Sequence, residues 1–274
     1  MAEIVHDLFP LIRVYKDGRI ERLMGEGFVP PESDTETGVQ IKDIEIDPQI
    51  NLSARLYLPK NIDPVQKIPL FVYFHGGAFV IESSSSPTYH KHLSMVAAEA
   101  KAVIVSVNYR LAPEYPLPIA YEDSWIALKW IASHANGDGY EPWIKDHANF
   151  NRLEGVKLDG IFLACPYFWG KDLIDGEEEN LFVKDCIDKL WLFANPNGSG
   201  LDDRCEKVLV YVAGKDALRF RGLYYKEALE KSGWPGTVEV VEVKDEEHVF
   251  HLFAPEAENG MAMLKKLVSF LNQS

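Results

Sequence analysis

Asp216 and His248 are residue types that can share a proton: a carboxylate that fixes an imidazole, and an imidazole that carries the proton. Gly214-Lys215-Asp216 follows the apolar run Val208 to Ala213, and His248 follows the run Val238 to Val243. In parallel sheets covered by helices, site residues gather just beyond the carboxyl ends of such strands. A histidine taken alone is more often a satisfied structural residue than a base, and His251, three positions on, is read as a neighbour of that kind. With an acid upstream, His248 is the expected base and Asp216 its orienting acid.

A second group supplies what an acid–base pair lacks. His75-Gly76-Gly77-Ala78-Phe79 directly follows the apolar run Leu70 to Phe74. Attack on an ester carbonyl builds an oxyanion that preorganised backbone N–H groups must meet. Glycines let the main chain turn its amides toward a substrate with no side chain in the way. His75, Gly76, Gly77 and Ala78 are therefore the expected oxyanion loop, with Ala78 where a third glycine would complete an HGGG-type sequence. A methyl group leaves the amide in place, so the loop is expected to tolerate it. The bland alternative for this motif is a tight strand-to-helix turn.

The missing partner is a nucleophile. An acyl-transfer site of this design presents a serine on a G-x-S-x-G turn between strand and helix. No Ser, Thr or Cys of the 274 residues has glycine or alanine both two before and two after it. Ser199 has adjacent glycines, but Asn197 and Leu201 occupy the required positions.

Other chemistry finds little support. His90-Lys91-His92 places two imidazoles at i and i+2, which do not share a helix face. Cys165, Cys186 and Cys205 are few, odd in number and lack CxxC spacing, so buried thiols are expected rather than disulfides or zinc. Neither GxxxxGK[ST] nor GxGxxG occurs. The expectation is no cofactor and no metal.

The elements that must position these residues can be read from periodicity. Val39 to Ile46 and Leu52 to Leu58 alternate apolar and polar, as half-buried strands near a sheet edge do. Leu70 to Phe74, Val103 to Val107, Ile161 to Ala164 and Val208 to Ala213 are nearly continuous apolar runs, the pattern of strands buried on both faces. Val238 to Val243 is a further strand. Between them His92 to Lys101, Ala120 to His134, Leu218 to Lys231 and Glu256 to Leu271 carry helical spacing. The alternation predicts an α/β fold with a mostly parallel central sheet flanked by helices. Asn180 to Ala194 is another amphipathic helix, placed where a cap over a site could sit.

No repeat or linker interrupts the chain, so residues 1–274 are read as one domain. It has an N-terminal arm and loop over 1–38 and a cap helix within 180–200. A hydrophobic fraction of 47% allows a sizeable core, and a formal charge of −14 argues against a nucleic-acid or anionic-membrane surface. No apolar run reaches membrane-spanning length, and no basic start leads into an h-region, so a cytoplasmic protein is expected.

Further motifs carry a resemblance. Asn108-Tyr109-Arg110-Leu111-Ala112-Pro113-Glu114, followed by Pro116-Leu117-Pro118 and Ala120-Tyr121-Glu122-Asp123, resembles the hormone-sensitive-lipase-like branch of α/β-hydrolases. The opening Val14 to Arg22 is similar to the N-terminal cap of plant carboxylesterases, a group that includes 2-hydroxyisoflavanone dehydratases and the gibberellin receptors. The likeness runs from about Ile4 to the C-terminus. It implies an α/β-hydrolase acting on a small-molecule ester or a phenolic, flavonoid-type substrate, with Asp216 and His248 as acid and base of a triad. The chain departs from that pattern after Asp146-His147-Ala148-Asn149-Phe150-Asn151-Arg152, which in the family leads into the central strand, the elbow and its helix. Here Leu153-Glu154-Gly155-Val156-Lys157-Leu158 follows instead, and a second join lies near Asp203-Arg204-Cys205. The expectation is a carboxylic-ester hydrolase scaffold that has lost its serine and is impaired or inactive. The alternatives are a dehydratase, which needs a base but no acyl-enzyme, and a binding protein of the receptor type, disfavoured because His248 is retained.

Overall fold

The computed structural model describes residues 3–273 apart from 64, 151–157, 171 and 196–204. Both expected joins, Arg152–Leu153 and Asp203–Arg204, lie outside the described residues. The chain divides into two compact units, 1–151 with 193–199, and 152–192 with 200–274.

The first unit opens with three short antiparallel strands, β1 (Ile4–Leu8), β2 (Ile12–Tyr15) and β3 (Ile20–Arg22). The arm read from sequence is thus a small sheet. Asp17-Gly18 turns β2 into β3, with Gly18 at φ +85° where a side chain would be strained. At the end of β3 the Arg22 guanidinium donates to the carbonyls of Val80 (2.8 Å) and Ala112 (3.1 Å) and pairs with Glu114 at 2.7 Å. One side chain therefore ties this sheet to two loops of the main body.

The main sheet of this unit joins β4 (Gln40–Asp47), β5 (Leu52–Leu58), β6 (Leu70–Phe74) and β7 (Val103–Asn108) in the order β4-β5-β7-β6. Helix α1 (Pro87–Ala100) makes the crossover that lets β6 and β7 run parallel, while β4, β5 and β7 pair antiparallel. Strand β4 is an edge, as its alternation suggested. Strand β5 is not: lying between β4 and β7, it is buried at nearly every position, and Arg55 within it is fully buried and bidentate to Asp43. Helices α2 (Ile119–Ser133) and α3 (Pro142–His147) follow.

Beyond α3 the chain returns to the free side of β6. The Asn149 amide donates to the Ile68 carbonyl and the Ile68 amide to the His147 carbonyl, both at 2.8 Å, giving one parallel bridge, Ile68 to Ala148.

The second unit is a parallel sheet in the order β10-β9-β8, from β8 (Leu158–Ala164), β9 (Cys205–Ala213) and β10 (Thr237–Val243). Helices α4 (Leu181–Ala194), α5 (Arg219–Lys231), α6 (Phe250–Phe253) and α7 (Glu258–Asn272) accompany it. Strand β9 shows why an unbroken apolar run is needed. Val208, Val210 and Val212 pack with Leu229 of α5, while Leu209, Tyr211 and Ala213 pack with Phe250 of α6 and Met263 of α7. Alternate side chains face opposite layers, and both are apolar.

Strands β6 and β8 depart from the expected burial on both faces. Every residue of β8 is half-buried, as are the first four of β6, and Phe74 is exposed. Among the described residues of its own unit, each strand lies at the end of its sheet, with one ladder neighbour.

Candidate active site

In the second unit, β9 and β10 end side by side and their loops are stitched together. The Gly214 amide donates to the Val243 carbonyl (2.8 Å) and the Lys215 amide to the Glu246 carbonyl (3.0 Å). A Cβ at Gly214 would stand 2.1 Å from the Lys244 carbonyl oxygen, so only glycine admits this approach. The Glu246 carboxylate in turn accepts from Asn259 of α7 at 2.7 Å. These fixed loops bring the Asp216 carboxylate to His248: Oδ2 lies 2.7 Å from Nδ1. The other oxygen, Oδ1, accepts the Leu218 amide at 2.9 Å. The Asp216 side chain is 6% exposed and that of His248 48%. A buried carboxylate thus holds one ring nitrogen while solvent reaches the ring, the arrangement that fixes a tautomer and leaves Nε2 to exchange protons. His251 is buried in α6, and its ring lies edge-on to Phe250.

Sequence reasoning missed a third side chain here. Cys165, just after β8, is buried at φ +47°, and its Sγ accepts the Val249 amide at 3.4 Å. One ligand atom each from Cys165, Asp216 and His248 lie within 4.8 Å of one another, so these three could hold a metal ion. Burial pushes the thiol up to about 12, which leaves no ready thiolate to act as a nucleophile. No local signal could have found it, because Cys165 and His248 meet only through the β8-β9-β10 pairing.

In the first unit, the loop 75–79 leaves β6 in a run of left-handed residues, Gly77 at φ +106°, Ala78 at +53° and Phe79 at +64°. The His75 ring stacks on Tyr109 (centroids 4.3 Å apart, 10° between planes), and the Tyr109 hydroxyl donates to the His75 carbonyl. Burial drops the His75 imidazole to about 4, and its Nδ1 lies 2.8 Å from the Gly76 carbonyl. It is a neutral strut rather than a base. The Tyr89 hydroxyl stands 2.9 Å from where a Gly76 Cβ would be, so only glycine admits it there. Gly77 turns the chain so tightly that its carbonyl accepts from both Val80 (3.0 Å) and Ile81 (3.1 Å). The amides of Gly77 and Ala78 donate to nothing among the described residues. Two adjacent N–H groups of this kind are what an oxyanion site requires.

The loop from β7 is equally fixed. Arg110 donates through its backbone amide (3.0 Å) and guanidinium (2.9 and 2.6 Å) to Asp123, which is fully buried in α2.

Parallel strands followed by an Asp–His contact in one unit, and a diglycine loop directly after a strand in the other, are features that α/β-hydrolases carry. Residues 71–154 match the alpha/beta hydrolase fold family. The chain is 40% identical over 316 residues to a 2-hydroxyisoflavanone dehydratase of Glycyrrhiza echinata, covering 98% of this chain and 96% of that protein. It is 43% identical over 309 residues to the Arabidopsis thaliana protein called probable carboxylesterase 7, covering 98% and 99%. Among solved structures, a hyperthermophilic esterase from Pyrobaculum calidifontis superposes with a TM-score of 0.65 at 24% identity, covering 85% of each chain, which bears on fold alone. The chain belongs to the plant carboxylesterase family of α/β-hydrolases. Both aligned lengths exceed its 274 residues, so these relatives carry stretches with no counterpart here.

Proposed function

We propose that this chain is a carboxylic-ester hydrolase scaffold without its nucleophile, and that it does not turn over esters in this form. The observation that carries the assignment is the 2.7 Å contact between a buried Asp216 and a solvent-reached His248. His248 is the proton carrier, Asp216 fixes its tautomer, and the Gly77 and Ala78 amides are oxyanion donors held by His75, Tyr89 and Tyr109. In this reading residues 1–274 are one hydrolase domain whose central strand, elbow and following helix are absent between Arg152 and Leu153. The sequence supports that reading by containing no G-x-S-x-G. The longer aligned relatives support it too.

The substrate class is a small-molecule ester or a phenolic, flavonoid-type compound, handled without a cofactor. No helix of the described residues is long and apolar enough to cross a membrane, and a cytoplasmic setting is the simplest one for three free thiols.

A second reading rests on the relative named 2-hydroxyisoflavanone dehydratase. Elimination of water needs a base and a polarised oxygen but no acyl-enzyme, and His248 is the base in this reading. Incubation with a short acyl aryl ester and with a 2-hydroxyisoflavanone separates the two. No release of the aryl alcohol and no dehydration is the expected result for the scaffold, whereas dehydration that disappears in His248→Ala establishes the lyase.

A further inference from the structure

The Cys165–Asp216–His248 cluster has a chemistry that neither ester hydrolysis nor dehydration uses. Thiolate, carboxylate and imidazole are the three ligand types that zinc accepts, and three protein ligands with one open position is the usual form of an exchangeable site. A tetrahedral zinc with bonds of about 2.0–2.3 Å holds its ligand atoms roughly 3.5 Å apart. The three side chains already converge to within 4.8 Å, and rotation of the exposed His248 ring about its side-chain bonds is the adjustment that brings the ligand atoms closer.

The surroundings suit a metal in three further respects. Asp216 keeps Oδ1 on the Leu218 amide, which orients Oδ2 toward His248. The Val249 amide already donates to Sγ, the kind of outer contact that stabilises a metal-bound thiolate. The charge also closes: one thiolate and one carboxylate balance a divalent cation, with the imidazole neutral. Entry is from the His248 side, where solvent reaches the ring.

We propose that Cys165, Asp216 and His248 form a binding site for a thiophilic divalent cation, Zn²⁺ in the first instance, with water in the fourth position. On binding, the Cys165 S–H bond breaks, its proton passes to solvent and Zn–S forms. Nδ1 of His248 leaves Asp216 for the metal, its proton going to solvent while Nε2 takes one up. One proton is released per ion. Bound metal separates Asp216 from His248, so metal occupancy and an oriented His248 base exclude each other. The inference does not depend on which reaction the scaffold serves.

Co²⁺ titration of the full chain tests this, because a thiolate–cobalt bond gives a charge-transfer band in the near ultraviolet. The expected result is a saturable band at one ion per chain, displaced by Zn²⁺, lost in Cys165→Ser and retained in Cys186→Ser and Cys205→Ser. Zinc calorimetry of His248→Ala, whose exposed ring carries little of the packing, should show affinity weaker by more than about tenfold. No band in the parent chain, a band that survives Cys165→Ser, or unchanged zinc affinity in His248→Ala would each overturn the site.

Discussion

The Asp216 carboxylate and the His248 imidazole meet at 2.7 Å from the ends of two parallel strands, and the acid is buried while the base is not. That asymmetry separates orientation from proton transfer and sets the order of the mutational effects. Where a nucleophile is present, His248→Ala should cost more than Asp216→Asn, because the acid steers the base without itself taking the proton.

In the chain as it stands, hydrolysis of short acyl aryl esters should be near background. Loss of a triad nucleophile costs about 10⁶ in kcat in a serine protease, with roughly 10³–10⁴ over water left to the rest of the site. Stopped-flow kinetics with a chromogenic acetate should show no burst; a burst and a trapped acyl-enzyme would contradict the account.

The loop 75–79 should be improved by the residue that its pattern lacks. Ala78 sits at φ +53°, a conformation that costs a non-glycine residue about 1 kcal/mol. Ala78→Gly should raise stability by about 0.5 kcal/mol and Tm by a degree or two. Gly77→Ala should do the reverse by more than about 2 kcal/mol, since its Cβ would stand 2.3 Å from the Ile81 carbonyl oxygen at φ +106°. Thermal unfolding of both variants measures the pair.

Acid should destabilise the fold well above the carboxylate range. Burial holds His75 and His92 at about 4 in the native state, while the unfolded chain protonates them near 6.5. Between those values the unfolded state binds more protons, so stability falls as pH drops from about 6.5 to about 4 and levels off for these groups below that. Each imidazole contributes up to about 3 kcal/mol of this loss. Urea unfolding at pH 7 and pH 5 should reveal it, and His92→Gln should flatten the slope; an unchanged slope would remove His92 from the explanation.

Much of this was legible in the sequence where a run has clean ends. Leu52–Leu58, by its alternation, and Leu70–Phe74, by its apolar run, are strands over the residues that those patterns mark. Helix α1 begins five residues before its periodicity suggests, because Pro87 reads as a breaker but serves at the first helical turn, where its missing amide costs nothing. The four-residue α6 is too short to show a period. Asp216 and His248 could be paired from their positions after two apolar runs, and they do meet at 2.7 Å. Burial could not be read this way: β5 alternates like a surface strand, yet it is covered, and β6 and β8 read as covered strands, yet they are half-open. Strand neighbours decide burial, and a strand's own sequence does not record them. Cys165 was invisible for the same reason.

The proposed loss of the central strand beside β6 has a stability consequence. An apolar strand with one ladder neighbour leaves backbone donors and acceptors unpaired. Global stability is only about 5–15 kcal/mol in an intact domain. Unfolding should therefore be early or poorly cooperative, with aggregation at higher concentration; a sharp single transition above about 65 °C would count against it.

Inserting a strand, a G-x-S-x-G turn and a helix between Arg152 and Leu153, with the loop near Asp203 restored, tests the central claim most directly. The measurement is steady-state hydrolysis of a short acyl aryl ester by the restored chain and by its His248→Ala and His251→Ala variants. The account expects esterase activity in the restored chain, its loss in His248→Ala and most of it retained in His251→Ala. A restored chain that folds but stays inert to esters, or whose activity survives His248→Ala and dies with His251→Ala, would contradict it.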